Sequence, residues 1–83
     1  MNTLEMVISK IEKILAENEI EGKINKDTAL MSDFAIDSVI AIEILVSMEE
    51  TFGITINDDD LSLELLENPL VLSKYIEELL RKK

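Results

Sequence analysis

In "AIDSVIAIEILVSMEE", residues 35–50, a serine follows an aspartate and opens what reads as a helix. A hydroxyl at that junction lies beside a helix dipole and backbone N–H groups that favour a phosphate. No base is close in sequence to Ser38, so it is not a self-activated nucleophile. If Ser38 does chemistry, another enzyme must place a group on it. The plainer reading is that Asp37 and Ser38 only cap a helix. These residues by themselves leave both readings open.

The remaining composition removes most other chemistry. The chain has no cysteine and no histidine, which excludes disulfides, thiolate and imidazole metal sites, cysteine nucleophiles and Ser-His triads. Its only glycines, Gly22 and Gly53, cannot build a Gly-rich phosphate loop. Asn57-Asp58-Asp59-Asp60 lacks the ligand spacing of a calcium loop. No catalytic residue and no metal ligand is assigned, and the chain is expected not to be an enzyme.

The elements that must position Ser38 follow from periodicity and caps. Leu4, Val7, Ile8, Ile11, Ile14 and Leu15 mark an amphipathic helix ending near Asn18, with Asn2 or Thr3 as cap and Glu5 completing a capping box. Residues 19–36 lack periodicity and read as a long ordered loop, pinned by Ile20, Ile24, Leu30, Met31, Phe34 and Ile36. A second helix runs from about Ser38 to Phe52, with Asp37 as N-cap and Gly53 as terminator. "ITIN" (54–57) alternates like a strand but has no partner strand, so a loop is expected. A short third helix is expected at about 59–66, behind Asp58–Asp60. Asn68-Pro69 begins the last helix, which carries Leu72, Tyr75, Ile76, Leu79 and Leu80. The fold class is all-α: one domain, residues 1–83, a small four-helix bundle of three main helices plus a short third, with a long loop between helices 1 and 2.

The helix after Ser38 is apolar on more than one side. At about 100° per residue, Ala41, Ile44, Leu45, Met48 and Phe52 share one stripe, which suits a core. Val39, Ile42 and Val46 lie opposite, interleaved with Glu43, Glu49 and Glu50. Aliphatics among carboxylates describe a docking surface, where apolar contact gives affinity and charge orients the partner. The alternative is that the loop or the short helix covers these aliphatics as further core. Ile40, beside the Ser38 face and outside the inner stripe, is expected at least partly exposed.

The formal charge is −10, from 18 acidic and 8 basic residues. No Lys or Arg occurs between Asp27 and Ser73, whereas acids recur throughout that stretch. Such a chain is a poor partner for nucleic acid, whose phosphates call for Lys and Arg, and a good one for basic protein surfaces. No apolar run reaches the length of a membrane span, and the N-terminus has no signal-peptide pattern. A monomeric, cytoplasmic protein is expected.

With these features in place, "DFAIDSVIAIEILVSMEETFGITINDDD" resembles the core of an acyl carrier protein. Leu30, Asp33 and Phe34 match that family's approach loop, and Asp37-Ser38-Val39 its attachment motif. Glu43, Glu49-Glu50, Phe52 and Ile56 fall at family spacings, and the flanking helices agree in length and place. The resemblance implies that Ser38 carries a 4′-phosphopantetheine arm, placed there by a phosphopantetheinyl transferase. The arm would hold acyl intermediates as thioesters and present them to acyl-transferring or condensing enzymes with basic docking patches. Asp37, Val39, Ile40, Ile42, Glu43, Val46, Glu49 and Glu50 would then form the partner-binding face. Ile44, Met48, Ile56, Leu61 and Tyr75 would line a pocket for a bound chain.

Ala35 replaces the glycine usual two residues before Asp-Ser, Val39 the usual leucine, and Ile40 the acid general in fatty-acid carriers. Residues 61–71 are also slightly longer than the common bacterial form. These departures point to a specialised carrier, for an unusual acyl chain, a polyketide or an aminoacyl group. The competing reading is an unmodified acidic adaptor that binds a basic partner through the same helix.

Overall fold

Asn2 starts the first helix by accepting the Glu5 N–H on its side chain at 2.8 Å, which satisfies one of the amides a helix start leaves open. The capping box is incomplete, because Glu5 accepts from the Asn2 side-chain amide at 3.3 Å and not from its backbone. In the computed structural model, which describes residues 2–34, 36–57 and 62–82, this helix is α1 (Thr3–Glu17). It buries Val7, Ile11, Ile14 and Leu15, the face the periodicity marked.

The expected loop of residues 19–36 contains a four-residue helix, α2 (Leu30–Asp33). It has no side-chain cap hydrogen bond and is too short to show a helical period in sequence. Ile24, Leu30 and Ile36 are buried, and Ile20, Met31 and Phe34 pack against the core, so the loop is pinned by the expected side chains. It is also held by polar ties. The Ile24 N–H donates to the Glu12 carboxylate at 3.1 Å, the Leu30 N–H to the Glu67 carbonyl at 3.3 Å, and the Leu70 N–H to the Lys26 carbonyl at 3.1 Å.

α3 (Ser38–Phe52) begins and ends as its flanking residues require. Asp37 has extended backbone and caps it, and Gly53 leaves it in the left-handed region at φ 64°. Residues 54–57 form a loop, with Ile54 and Ile56 buried. The short third element, expected as a short helix at about 59–66, is a 3-10 helix, Leu63–Leu66. Ser62 caps it by accepting the Glu64 N–H at 3.2 Å; Asp58–Asp60 and Leu61, to which part of that expectation was attached, lie outside the described residues. α4 (Pro69–Arg81) starts at Asn68, which accepts the Val71 N–H at 2.9 Å, with Pro69 in the first turn.

The architecture is an all-helical bundle, with no strand among the described residues. α1 packs on both α3 and α4, and the 3-10 helix packs on α4. One continuous core joins them, with Ile11, Leu15, Leu30, Ile44, Met48, Leu66, Leu72 and Ile76 fully buried. At about 25 cal/mol per Å² of apolar surface removed from water, such side chains supply most of the drive to fold.

Candidate functional site

α3 is the element that positions Ser38. Asp37 accepts the Ile40 N–H on Oδ1 at 2.9 Å and, on its main-chain carbonyl, the Ala41 N–H at 2.9 Å. The first turn is thereby closed, with Ser38 as its first residue. Ser38 is exposed, and among the described residues its hydroxyl has no hydrogen-bond partner. Asp37 does the capping, and the Ser38 hydroxyl takes no part in it.

The side of α3 next to Ser38 is open. Val39 is 71% exposed, Ile42 60% and Val46 44%. These numbers decide between the two readings of the outer aliphatics: they are not extra core. Spaced at i, i+3 and i+7, they form a strip about 10 Å long on one side of the helix. Glu43 and Glu50 are exposed beside it. Glu43 receives a long hydrogen bond, 3.4 Å, from the Asn18 side chain at the end of α1.

Two residues assigned to this face behave differently. Ile40 is only 8% exposed and belongs to the core, against the expectation of exposure. It stands one turn before Ile44 and two before Met48, so it continues their buried row (side chains four apart share a helix face). Its side chain is therefore unavailable to a partner. Glu49 is half-buried, and its Oε2 accepts the Ile56 N–H at 2.8 Å. Sequence reasoning gave Glu49 a surface role and missed this second one, since nothing local links residues 49 and 56.

A further missed contact lies in the segment between α1 and α3. Gly22 has φ +148°, and a Cβ there would lie 2.6 Å from Phe34 Cε1. The Phe34 ring thus rests against bare backbone, four residues before Ser38. A lone glycine in an irregular segment was the only available signal.

The proposed chain pocket is not seen as such. Ile44, Met48 and Ile56 are packed in the closed core, Tyr75 lies half-buried against it, and Leu61 is outside the described residues. Open depressions occur elsewhere. One, of about 620 Å³, is lined by Ala29, Met31, Ser32, Glu64 and Glu67, and another, of about 270 Å³, by Gly53, Ile54, Thr55, Leu79 and Lys82. Among the described residues no group of three or more acidic side chains is arranged to hold a metal ion, and no helix is long and apolar enough to cross a membrane.

Known proteins are similar to this chain in sequence. Residues 4–76 match the family described as "Phosphopantetheine attachment site". A protein of Desulforapulum autotrophicum named acyl carrier protein is 41% identical over 58 residues, 65% of this chain and 74% of the relative. One of Buchnera aphidicola subsp. Baizongia pistaciae with the same name is 34% identical over 59 residues, 69% of this chain and 76% of the relative. No solved structure matches.

Proposed function

The chain belongs to the acyl carrier protein family, and from that premise we propose that Ser38 is the residue to which its 4′-phosphopantetheine arm is attached. Members of the family are carriers and not catalysts, in keeping with a chain that has neither cysteine nor histidine. The observation that carries the assignment is the exposed, unpartnered hydroxyl of Ser38 at the first position of α3. The surroundings fit the group. An arm attached through phosphate would start beside helix N-terminal amides, which favour its negative charge. When bound, the arm supplies a thiol that holds acyl groups.

The chain's own residues do the rest. Asp37 fixes the serine at the head of the helix, and Val39, Ile42 and Val46 offer apolar contact to each partner enzyme. Glu43 and Glu50 orient basic patches on those partners, a phosphopantetheinyl transferase first and acyl-transferring or condensing enzymes after it. Tethering keeps the cargo at high effective concentration wherever the carrier docks. The sequence departures at Ala35, Val39 and Ile40 support a specialised pathway, for an unusual acyl chain, a polyketide or an aminoacyl group. Because Ile40 is buried, it does not tune partner choice by direct contact. Residues 1–83 act as a single carrier domain, monomeric and cytoplasmic.

Incubation with a phosphopantetheinyl transferase and coenzyme A, followed by intact-mass spectrometry, tests the assignment. The wild-type chain gains one phosphopantetheine and a folded Ser38→Ala variant gains none. Modification of Ser38→Ala would move the site elsewhere. An unmodified wild type would leave the acidic adaptor as the reading to pursue.

A further inference from the structure

We propose that the Glu49 carboxylate is a shared acceptor: the Ile56 N–H holds it in the free chain, and a cationic side chain of a docked partner takes it, loosening residues 55–57. The partner half of this inference rests on the carrier reading above.

After Gly53 the chain turns back over the end of α3 as a strap. The Gly53 and Ile54 N–H groups both donate to the Glu49 carbonyl, the second at 3.1 Å. Two residues on, the Ile56 N–H reaches the Glu49 carboxylate at 2.8 Å. One residue therefore holds the strap through its main chain and its side chain. Ile54 and Ile56 point into the core, while Thr55 and Asn57 are exposed. Strap position and core packing are thus linked at Ile56.

The same carboxylate faces the docking surface. Glu49 lies one turn beyond Val46, beside exposed Glu50, and is only half-buried. No Lys or Arg occurs between residues 27 and 73, and the ion pairs among the described residues, Lys26–Asp27 and Glu78–Arg81, lie elsewhere. Among the described residues the Glu49 charge thus has a neutral amide donor and no cation. A guanidinium or ammonium group offers that carboxylate a stronger, charge-assisted hydrogen bond than an amide does. A partner that supplies one competes with Ile56 for Glu49. The coupling is reciprocal: docking frees the strap, and a freed strap makes docking tighter.

Amide hydrogen exchange at Ile56, with the Ile54 amide as internal reference, tests the proposal on the unmodified chain. In the free protein, Glu49→Ala should speed Ile56 exchange about tenfold relative to Ile54, the effect of one lost hydrogen bond. Glu49→Gln, whose side-chain oxygen still accepts, should speed it less. Addition of a phosphopantetheinyl transferase without coenzyme A should speed Ile56 exchange in the wild type and leave Glu49→Gln unchanged. Equal Ile56 exchange in wild type and Glu49→Ala would overturn the strap, as would unchanged or slower exchange in the wild-type complex overturn the competition. If Glu49→Ala does not fold, Glu49→Gln and the wild-type complex decide. A transferase that fails to bind would fell the carrier reading and the partner half with it, while the strap's dependence on Glu49 is read from the free chain alone.

Discussion

The Asp37 carboxylate accepts the Ile40 N–H at 2.9 Å, so the residue that precedes the proposed attachment serine is also the one that starts its helix. The cap therefore fixes where Ser38 sits at the head of α3. Removing the cap with Asp37→Ala should lower unfolding stability by about 1 kcal/mol, whereas Asp37→Asn, which can still accept, should cost far less. Urea unfolding measures both. If modification by the transferase slows only in Asp37→Ala, the cap is what presents the serine. If it slows equally in Asp37→Asn, the partner reads the charge.

Gly22 and Phe34 give the second prediction. Gly22→Ala forces a side chain into a backbone conformation of φ +148° and into the Phe34 ring. A destabilisation of about 1–3 kcal/mol is expected. Combining it with Phe34→Leu should relieve the clash but not the backbone strain, so thermal unfolding should recover only in part. Full recovery would mean that the ring contact alone demands glycine.

Burial of Ile40 reverses what its place beside Ser38 suggests. Ile40→Asp puts a carboxylate into the core and should cost more than about 3 kcal/mol, a large share of the stability of a domain of this size. Ile40→Val should cost only about 1 kcal/mol. Circular dichroism during urea unfolding distinguishes this from a surface residue, for which Ile40→Asp would be nearly neutral.

Ile42, at 60% exposure, should behave in the opposite way. Ile42→Asn is expected to change stability by less than about 0.5 kcal/mol, as exposed substitutions do. It should nevertheless lower kcat/KM for modification by the transferase, because apolar contact is lost from the docking strip. A large stability loss would show Ile42 to be covered, and unchanged kcat/KM would remove it from the docking face.

Local signals determined the three long helices. Asn2, Asp37 and Asn68 each cap through a side chain that reaches an amide three residues on, and Gly53 ends α3 because its left-handed turn suits a residue without a Cβ. These interactions span a few residues, so they can be read in order along the chain. The match of motif, acidic helix and helix layout likewise identified the family. Ile40 was legible as well, four residues before Ile44; its place beside the Ser38 face, outside the inner stripe, drew the expectation outward.

Tertiary structure alone decided the rest. The period of α3 sorts its side chains into faces, but it cannot say which apolar face will be covered, because the covering segments are irregular. Their positions come from contacts between residues distant in sequence: Ile24 with Glu12, Leu30 with Glu67, Leu70 with Lys26, and Gly22 with Phe34. Where those segments come to rest leaves Val39, Ile42 and Val46 open beside Ser38. The double role of Glu49 has the same origin. A carboxylate on a helix surface advertises a charge in the sequence, and only the folded return of residues 54–56 brings an amide N–H within reach of it.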